Sequence, residues 1–315
     1  MRTVVTGCAG FIGSRLSEAL VADGATVVGI DAFTPYYDRS DKERNLRALE
    51  GEQGFSLEEV DLSTARLAPL FADADAIFHL AAQPGVRASF TDFDHYVRHN
   101  LLATQRVFEA AKDDRVPRVV WASSSSVYGD AKDYPLREGR TALEPLSPYG
   151  ATKKACEDLA RIYRARGCET VAMRYFTVYG PRQRPDMATR RLVDAALDGL
   201  VFPQYGDGQQ SRDYTFVDDI VDATVRAASA ENPSAIYNVG GGEEATLASV
   251  IALVEELSGH SVDVDRREAS RGDVRRTAAD TSRARTELGW TPRTSLRDGI
   301  AAQVRWATEV RSGVA

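Results

Sequence analysis

Cysteine is scarce in this 315-residue chain, with only Cys8, Cys156 and Cys168. None stands in a C-x-x-C pair. A small odd number argues against a disulfide framework and for a reducing compartment. Histidine is nearly as scarce: His79, His95, His99 and His260 are scattered. A helical His95/His99 pair could bind metal in principle, but no third ligand stands nearby, so no metal site is expected. No apolar run approaches the length that crosses a bilayer, which excludes a helical membrane span. Where a targeting segment would stand, the apolar strand Arg2-Thr3-Val4-Val5-Thr6 begins at once, and a cytoplasmic location is expected. Positive charge is also in deficit: 39 Lys+Arg against 46 Asp+Glu leaves a net charge of −7. That argues against general nucleic-acid or anionic-membrane binding, though not against a small anion held by local cations. Low-complexity segments and short repeats are missing.

What is present is an ordinary globular composition, 43% hydrophobic and 27% charged, enough for a packed core in one large or two unequal domains. The first two-thirds alternates short β-branched runs with helical patterns. Thr3–Thr6, Thr26–Asp31, Ala76–Leu80, Val116–Ser123 and Glu169–Tyr175 read as strands apolar on both faces. Phe11–Asp23, Tyr96–Asp113 and Tyr149–Arg166 read as helices, the second with an apolar stripe of Tyr96, Leu101, Val107, Phe108 and Ala111. This alternation predicts an α/β fold with a doubly wound parallel sheet of the Rossmann type. After Tyr175 the pattern loosens, with loops at Gly180–Pro185 and Gly206–Gln209 and further helices at Leu247–Leu257 and Leu296–Thr308. A smaller, largely C-terminal substrate-binding lobe is expected. The predicted division is 1–178 for the larger domain, with 213–240 returning to its sheet, and 179–212 plus 241–315 for the lobe.

Two motifs carry chemistry. Gly7-Cys8-Ala9-Gly10-Phe11-Ile12-Gly13 lies between the first strand and the first helix. Glycines there allow a tight turn and close approach to a pyrophosphate, and the helix start offers unpaired N–H groups. Asp31, ending the second strand, can accept from both ribose hydroxyls of NAD and would repel a 2′-phosphate. Ala32 and Phe33 supply no arginine to hold such a phosphate, so NAD is favoured over NADP. Asp61 and Leu62, after the third β pattern, are placed to meet the adenine. The second motif is Tyr149 and Lys153, four residues apart in Ser147-Pro148-Tyr149-Gly150-Ala151-Thr152-Lys153. On a helix both face one way, and the ammonium favours loss of the phenol proton.

Together these residues resemble the extended short-chain dehydrogenase/reductases, specifically the nucleotide-sugar epimerases and dehydratases. The resemblance covers nearly the whole chain. It runs through Thr6–Gly13, His79-Leu80-Ala81-Ala82, Ser123–Gly129, the Tyr149/Lys153 pair, Arg174-Tyr175-Phe176 and Arg212-Asp213-Tyr214. It implies that Leu80, Ala81, Ala82 and Asn100 lie near the cofactor, although Asn100 could also cap a helix or fill the core. It further implies a hydride relay at C4 of a UDP-sugar. In that relay Tyr149 takes the hydroxyl proton, Lys153 supports the phenolate and holds the nicotinamide ribose, and Ser124 bonds the same oxygen.

Within the family, three stretches point to members acting on UDP-uronic acids: Phe33–Asp38, Ala82–Arg87 and Phe176–Ala188. Family dehydratases carry Asp-Glu where this chain has Ser125-Ser126, and related decarboxylases carry Glu at the second position. Hydroxyls of Ser125, Ser126 and Thr177 could bond a sugar carboxylate that a Glu would repel. Arg87, Arg182 and Arg184 could supply positive charge, or could be solvated surface arginines. The resemblance assigns Arg212 to the nucleotide diphosphate and Asp273 to the nucleotide ribose. Family hexose epimerases have Arg where this chain has Ser270; Arg271 could take its place. Phe202-Pro203 could pack on uracil or in the core. A homodimer through helices Tyr96–Asp113 and Tyr149–Arg166 is implied by the same resemblance. The alternatives are a neutral UDP-hexose 4-epimerase (UDP-glucose or UDP-N-acetylglucosamine), a UDP-uronate decarboxylase and, outside enzymes, a non-catalytic NAD-binding regulator.

Overall fold

A computed structural model describes residues 1–269 and 272–314. Its main sheet is built from β1 (Arg2–Thr6), β2 (Thr26–Asp31), β3 (Phe55–Glu59), β4 (Ala76–His79), β5 (Val119–Ser124), β6 (Thr170–Tyr175) and, after three strands that lie elsewhere, β10 (Ile236–Val239). The seven run in the order β3-β2-β1-β4-β5-β6-β10, and every pair is parallel. The chain thus winds one way from β1 to β3, then reverses and winds the other way from β4. The crevice of a doubly wound sheet opens at that reversal.

Successive strand residues feed opposite faces, as the two-residue period requires. Val4, Ile77 and Val119 enter one core, while Val5, Phe78 and Val120 enter the other. Helices α1 (Phe11–Ala22), α2 (Arg39–Leu46), α3 (Ala68–Phe71), α4 (Phe93–Tyr96), α5 (Ala103–Asp113) and α6 (Pro148–Ala165) follow in chain order. Leu16 and Leu20 of α1 seal one face of the sheet. Val107 and Phe108 of α5 and Cys156 and Ala160 of α6 seal the other. Helix α6 starts sharply because Ser147 Oγ accepts from Gly150 N at 3.1 Å and Pro148 occupies the first turn.

The remaining strands form two small sheets. β7 (Thr177–Tyr179), β9 (Ser211–Phe216) and β11 (Glu243–Thr246) make one, and β8 (Phe202–Tyr205) pairs with β12 (Val264–Arg267) in the other. Helices α7 (Ala188–Asp198), α8 (Val217–Ser229), α9 (Leu247–Ser258), α10 (Ser282–Leu288) and α11 (Leu296–Ser312) complete the chain.

Three differences from the sequence expectation have physical causes. The strand expected near Tyr214 does not rejoin the main sheet. The chain leaves that sheet at Phe176, and β7 offers β9 a new parallel partner; of the segment expected to return, only α8 and β10 do so. The helix expected from Tyr96 to Asp113 is interrupted by a π-helical stretch, Val97–Leu102, whose wider turn hydrophobic periodicity does not report. β3 lacks an apolar run because it is an edge strand with four exposed residues, Ser56 to Glu59.

Candidate active site

The loop after β1 is built for close approach. Gly7 has a φ of +73°, and its N–H donates to Ile30 O at 2.7 Å. A Cβ on Gly13 would stand 2.0 Å from Gly7 O, so only glycine lets α1 start against this turn. No side chain caps α1, and Gly10, Phe11, Ile12 and Gly13 line a cavity of about 490 Å³. The first N–H groups of the helix therefore front the cavity, the arrangement that suits a pyrophosphate.

Asp31 closes β2 at the edge of this cavity. Its Oδ1 accepts from Phe33 N at 2.8 Å and its Oδ2 from Ala9 N at 3.2 Å. The Lys42 ammonium sits 3.6 Å from Oδ1, donates to Thr34 O at 3.1 Å and faces the Tyr37 ring at 5.1 Å. This buried lysine was missed from sequence, since nothing at Ala32 or Phe33 announces it. Asp61 and Leu62 also line the cavity. Burial would raise the Asp61 carboxyl, but the bonds from Ser63, together with nearby His99 and Arg98, outweigh it and hold the group below its usual range.

Leu80, Ala81 and Ala82 line the cavity beyond β4. Asn100 is not among the residues that line it, and its side chain takes the core role that the sequence also left open. It is 1% exposed, and its amide is spent inside the protein. It accepts from Gln83 N at 2.7 Å and donates to Gln83 O and Thr152 Oγ1, both at 3.1 Å. Asn100 thus ties the 81–83 loop to α6.

Tyr149, Lys153 and Ser124 line the same cavity as the glycine loop. Lys153 Nζ donates to Ala122 O at 2.8 Å, which holds the ammonium under the end of β5. Ser124 Oγ accepts from Ser126 N at 3.1 Å, starting the short turn Ser125–Val127. Ser125, Ser126, Thr177 and Arg184 line the cavity as well. Behind it, Ser123 Oγ donates to Glu157 Oε1 at 2.6 Å, and Arg174 grips Glu157 through Nε at 2.8 Å and Nη2 at 2.6 Å. This buried pair pins α6 to β5 and β6.

A second cavity of about 530 Å³ adjoins the first, sharing Tyr36, Gly85, Val86, Thr177, Asp186 and Met187. Arg87, Arg212 and Asp273 line it, as do Phe202 and Pro203. The Arg87 guanidinium stacks on Tyr205 at 3.8 Å, and Arg212 is ion-paired with Asp273. Arg182 is not near these groups. In a left-handed conformation (φ +67°), it reaches the α1 side to pair with Glu18 at 2.6 Å. Ser270 and Arg271 lie outside the described residues.

Tyr36, Tyr37, Gln83 and Asp186 also line the first cavity, although sequence reasoning assigned none of them a role. The only signal for them was the motif stretches in which they stand. All three cysteines are buried and unbridged. Among the described residues, no group of three His, Cys, Asp or Glu side chains could hold a metal ion, and no helix is long and apolar enough to cross a membrane.

A glycine-cradled cavity at the reversal of a parallel sheet, with a Tyr–Lys pair at its far end, marks a dinucleotide-dependent Rossmann-type enzyme. The chain belongs to the family described as GDP-mannose 4,6 dehydratase, whose pattern matches residues 4–303. This agrees with the resemblance to nucleotide-sugar epimerases and dehydratases. An uncharacterised UDP-glucose epimerase, YtcB, of Bacillus subtilis (strain 168) is 42% identical over 319 residues, covering 99% of this chain and 100% of that one. A UDP-glucuronate 4-epimerase of Thermodesulfobacterium geofontis is 36% identical over 311 residues, covering 97% and 96%. Among solved structures, the Bacillus cereus UDP-glucuronic acid 4-epimerase in complex with UDP-glucuronic acid and NAD matches with a TM-score of 0.94 at 39% identity. That match covers 98% of this chain and 100% of that one.

Proposed function

We propose that this protein is an NAD-dependent UDP-glucuronate 4-epimerase, interconverting UDP-glucuronate and UDP-galacturonate through a 4-keto sugar. The observation that carries this reading is one cavity wall. Ser125, Ser126, Thr177 and Arg184 line the same cavity as Tyr149, and no carboxylate occupies the two positions after Ser124. Hydroxyls and a guanidinium suit a sugar carboxylate, whereas dehydration would need an acid and base there. Relatives and neighbours that bear the same name, one of them with UDP-glucuronic acid and NAD, support it.

The glycine cradle fits NAD, with Asp31 on its ribose and Asp61-Leu62 at its adenine. When bound, NAD supplies the acceptor and donor of the C4 hydride. Lys153 stands one helical turn from Tyr149, with its ammonium held by Ala122 O. Tyr149 removes the 4-hydroxyl proton, and Ser124 bonds the same oxygen and helps pass the proton. The keto sugar turns within the site, and Tyr149 returns the proton after reduction on the other face. Ser125, Ser126, Thr177 and Arg184 hold the carboxylate out of line with the carbonyl π system, which suppresses loss of carbon dioxide. Arg87, Arg212 and Asp273 serve the UDP portion.

The division of labour follows the chain. Residues 1–178, with α8 and β10, hold the cofactor and lend Arg87, Ser125, Ser126 and Thr177 to the substrate; the rest of the two small sheets and α7, α9, α10 and α11 form the substrate lobe. Exposed Phe93, Leu102 and Ile162 near and on the helices α5 and α6 support a homodimer through that face. The net charge of −7 supports an enzyme without a nucleic-acid partner, and the three unbridged cysteines support a reducing, cytoplasmic location.

A neutral UDP-hexose is the second reading, favoured by the name of the 42% identical relative. Incubating purified protein with UDP-glucuronate, without added NAD, and following the sugar by NMR tests the assignment. UDP-galacturonate should appear, and Tyr149→Phe should slow it by about 10²–10⁴-fold. Conversion of UDP-glucose with none of UDP-glucuronate would sink the uronate reading.

A further inference from the structure

Asp186 belongs to no step described so far, yet it sits where both cavities meet. Its carboxylate takes the Arg184 guanidinium side-on. Nε donates to Oδ1 at 2.9 Å, and Nη2 donates to Oδ2 at 3.1 Å. Two of the five guanidinium N–H donors are thereby spent on fixing the plane of the fork. Tyr36 Oη donates to Oδ2 of the same carboxylate at 3.2 Å.

The contacts continue beyond Tyr36. Gly85 has a φ of +96°, and a Cβ there would stand 2.2 Å from the Tyr36 hydroxyl. The absence of a side chain is what admits that hydroxyl. The carbonyls of Pro84 and Gly85 accept from Tyr96 Oη at 2.6 and 2.7 Å. The Tyr96 ring then meets the Tyr149 ring edge-on, with centroids 6.3 Å apart and planes at 77°. Three loops distant in sequence are locked together, and Arg184 is connected to Tyr149 through them.

We propose that Asp186, steadied by Tyr36, registers the Arg184 guanidinium against Tyr149 and so makes the cavity selective for a UDP-sugar that carries a carboxylate. This inference rests on the uronate reading. In a hexuronate, the carboxylate-bearing carbon and the 4-hydroxyl carbon are neighbours in one rigid ring. A cation for the first and a base for the second must therefore stand at a fixed separation, and a site loose by about 1 Å loses much of its effect. A neutral hexose presents only a hydroxymethyl group to Arg184 and gains little from its alignment. Asp186 also offsets the Arg184 charge at the cavity wall. Asp186 and Tyr36 are positioning residues, acting through Arg184.

The test compares the ratio of kcat/KM for UDP-glucuronate to that for UDP-glucose in wild type and in D186N, D186E and Y36F. Each protein is checked for bound NAD and for its melting temperature. D186N should lower the ratio about tenfold, chiefly through KM for UDP-glucuronate, and Y36F should lower it about threefold. D186E, which keeps the carboxylate, should restore part of the ratio. A ratio that is unchanged or raised in D186N and Y36F overturns the inference and leaves the uronate reading standing. Wild-type protein inert towards UDP-glucuronate overturns both.

Discussion

The buried Glu157–Arg174 pair yields the most demanding prediction. Glu157 is 7% exposed and Arg174 2%. Glu157→Ala would leave the guanidinium buried with only Tyr128 Oη, 2.7 Å from Nη1, among its present side-chain partners. It would also strip the Ser123 hydroxyl of its acceptor. Removing one partner of such a buried pair costs about 3–5 kcal/mol, because the remaining charge is uncompensated. Native stability is typically about 5–15 kcal/mol, so the loss is a large share of it. Urea unfolding followed by circular dichroism should show the midpoint falling with the slope unchanged. The double variant Glu157→Ala/Arg174→Met removes both charges and should recover most of the loss. Turnover should suffer as well, since Ser123 precedes Ser124 and Glu157 follows Lys153 by one turn. A single-variant cost below about 1 kcal/mol, or a double variant as unstable as the single, would refute the reasoning.

Two further outcomes are expected. Gly13→Ala places a methyl 2.0 Å from Gly7 O, so the loop must shift; the variant should purify with little bound NAD and lose about 1–3 kcal/mol, read by absorbance and melting. His79, bonded to Thr6 Oγ1 at 2.8 Å and Thr104 Oγ1 at 3.0 Å, is pushed down to about 3 by burial and by the Lys153 charge. The unfolded chain therefore takes up this proton first, near the ordinary value of 6.5. Its contribution is intact above that pH and drains away as pH falls towards 3, a loss of about 2 kcal/mol by pH 5. Urea midpoints at pH 7, 6 and 5 should converge for wild type and His79→Gln; parallel lines would contradict this account.

Much of the cofactor side was legible because it is local. The glycine loop, Asp31 and the Tyr149/Lys153 spacing each lie within a few residues, and strand or helix geometry alone orients them. The buried strands announced themselves because both faces of a central parallel strand are apolar. β3, an exposed edge, left only the weaker β pattern read before Asp61, and the π-helical turn at Val97–Leu102 carries no periodic mark. Asn100 shows a polar side chain of a motif engaged by the fold: its amide bonds Gln83 and Thr152.

The arginines mark the boundary between the two levels. Sequence alone determined that the chain is an alternating α/β protein with a dinucleotide loop, a Tyr–Lys pair and several candidate cations in its later loops. It could not say where those cations point. Arg182 turns away to Glu18, Arg212 pairs with Asp273, Arg87 stacks on Tyr205, and Arg184 is held by Asp186 at the cavity wall. Guanidinium groups reach several ångströms from their backbone, and their orientation follows whichever carboxylate or ring the folded loops bring near. Only the tertiary structure makes that choice. It placed Asp186 and Tyr36, 150 residues apart, on either side of one hydrogen bond.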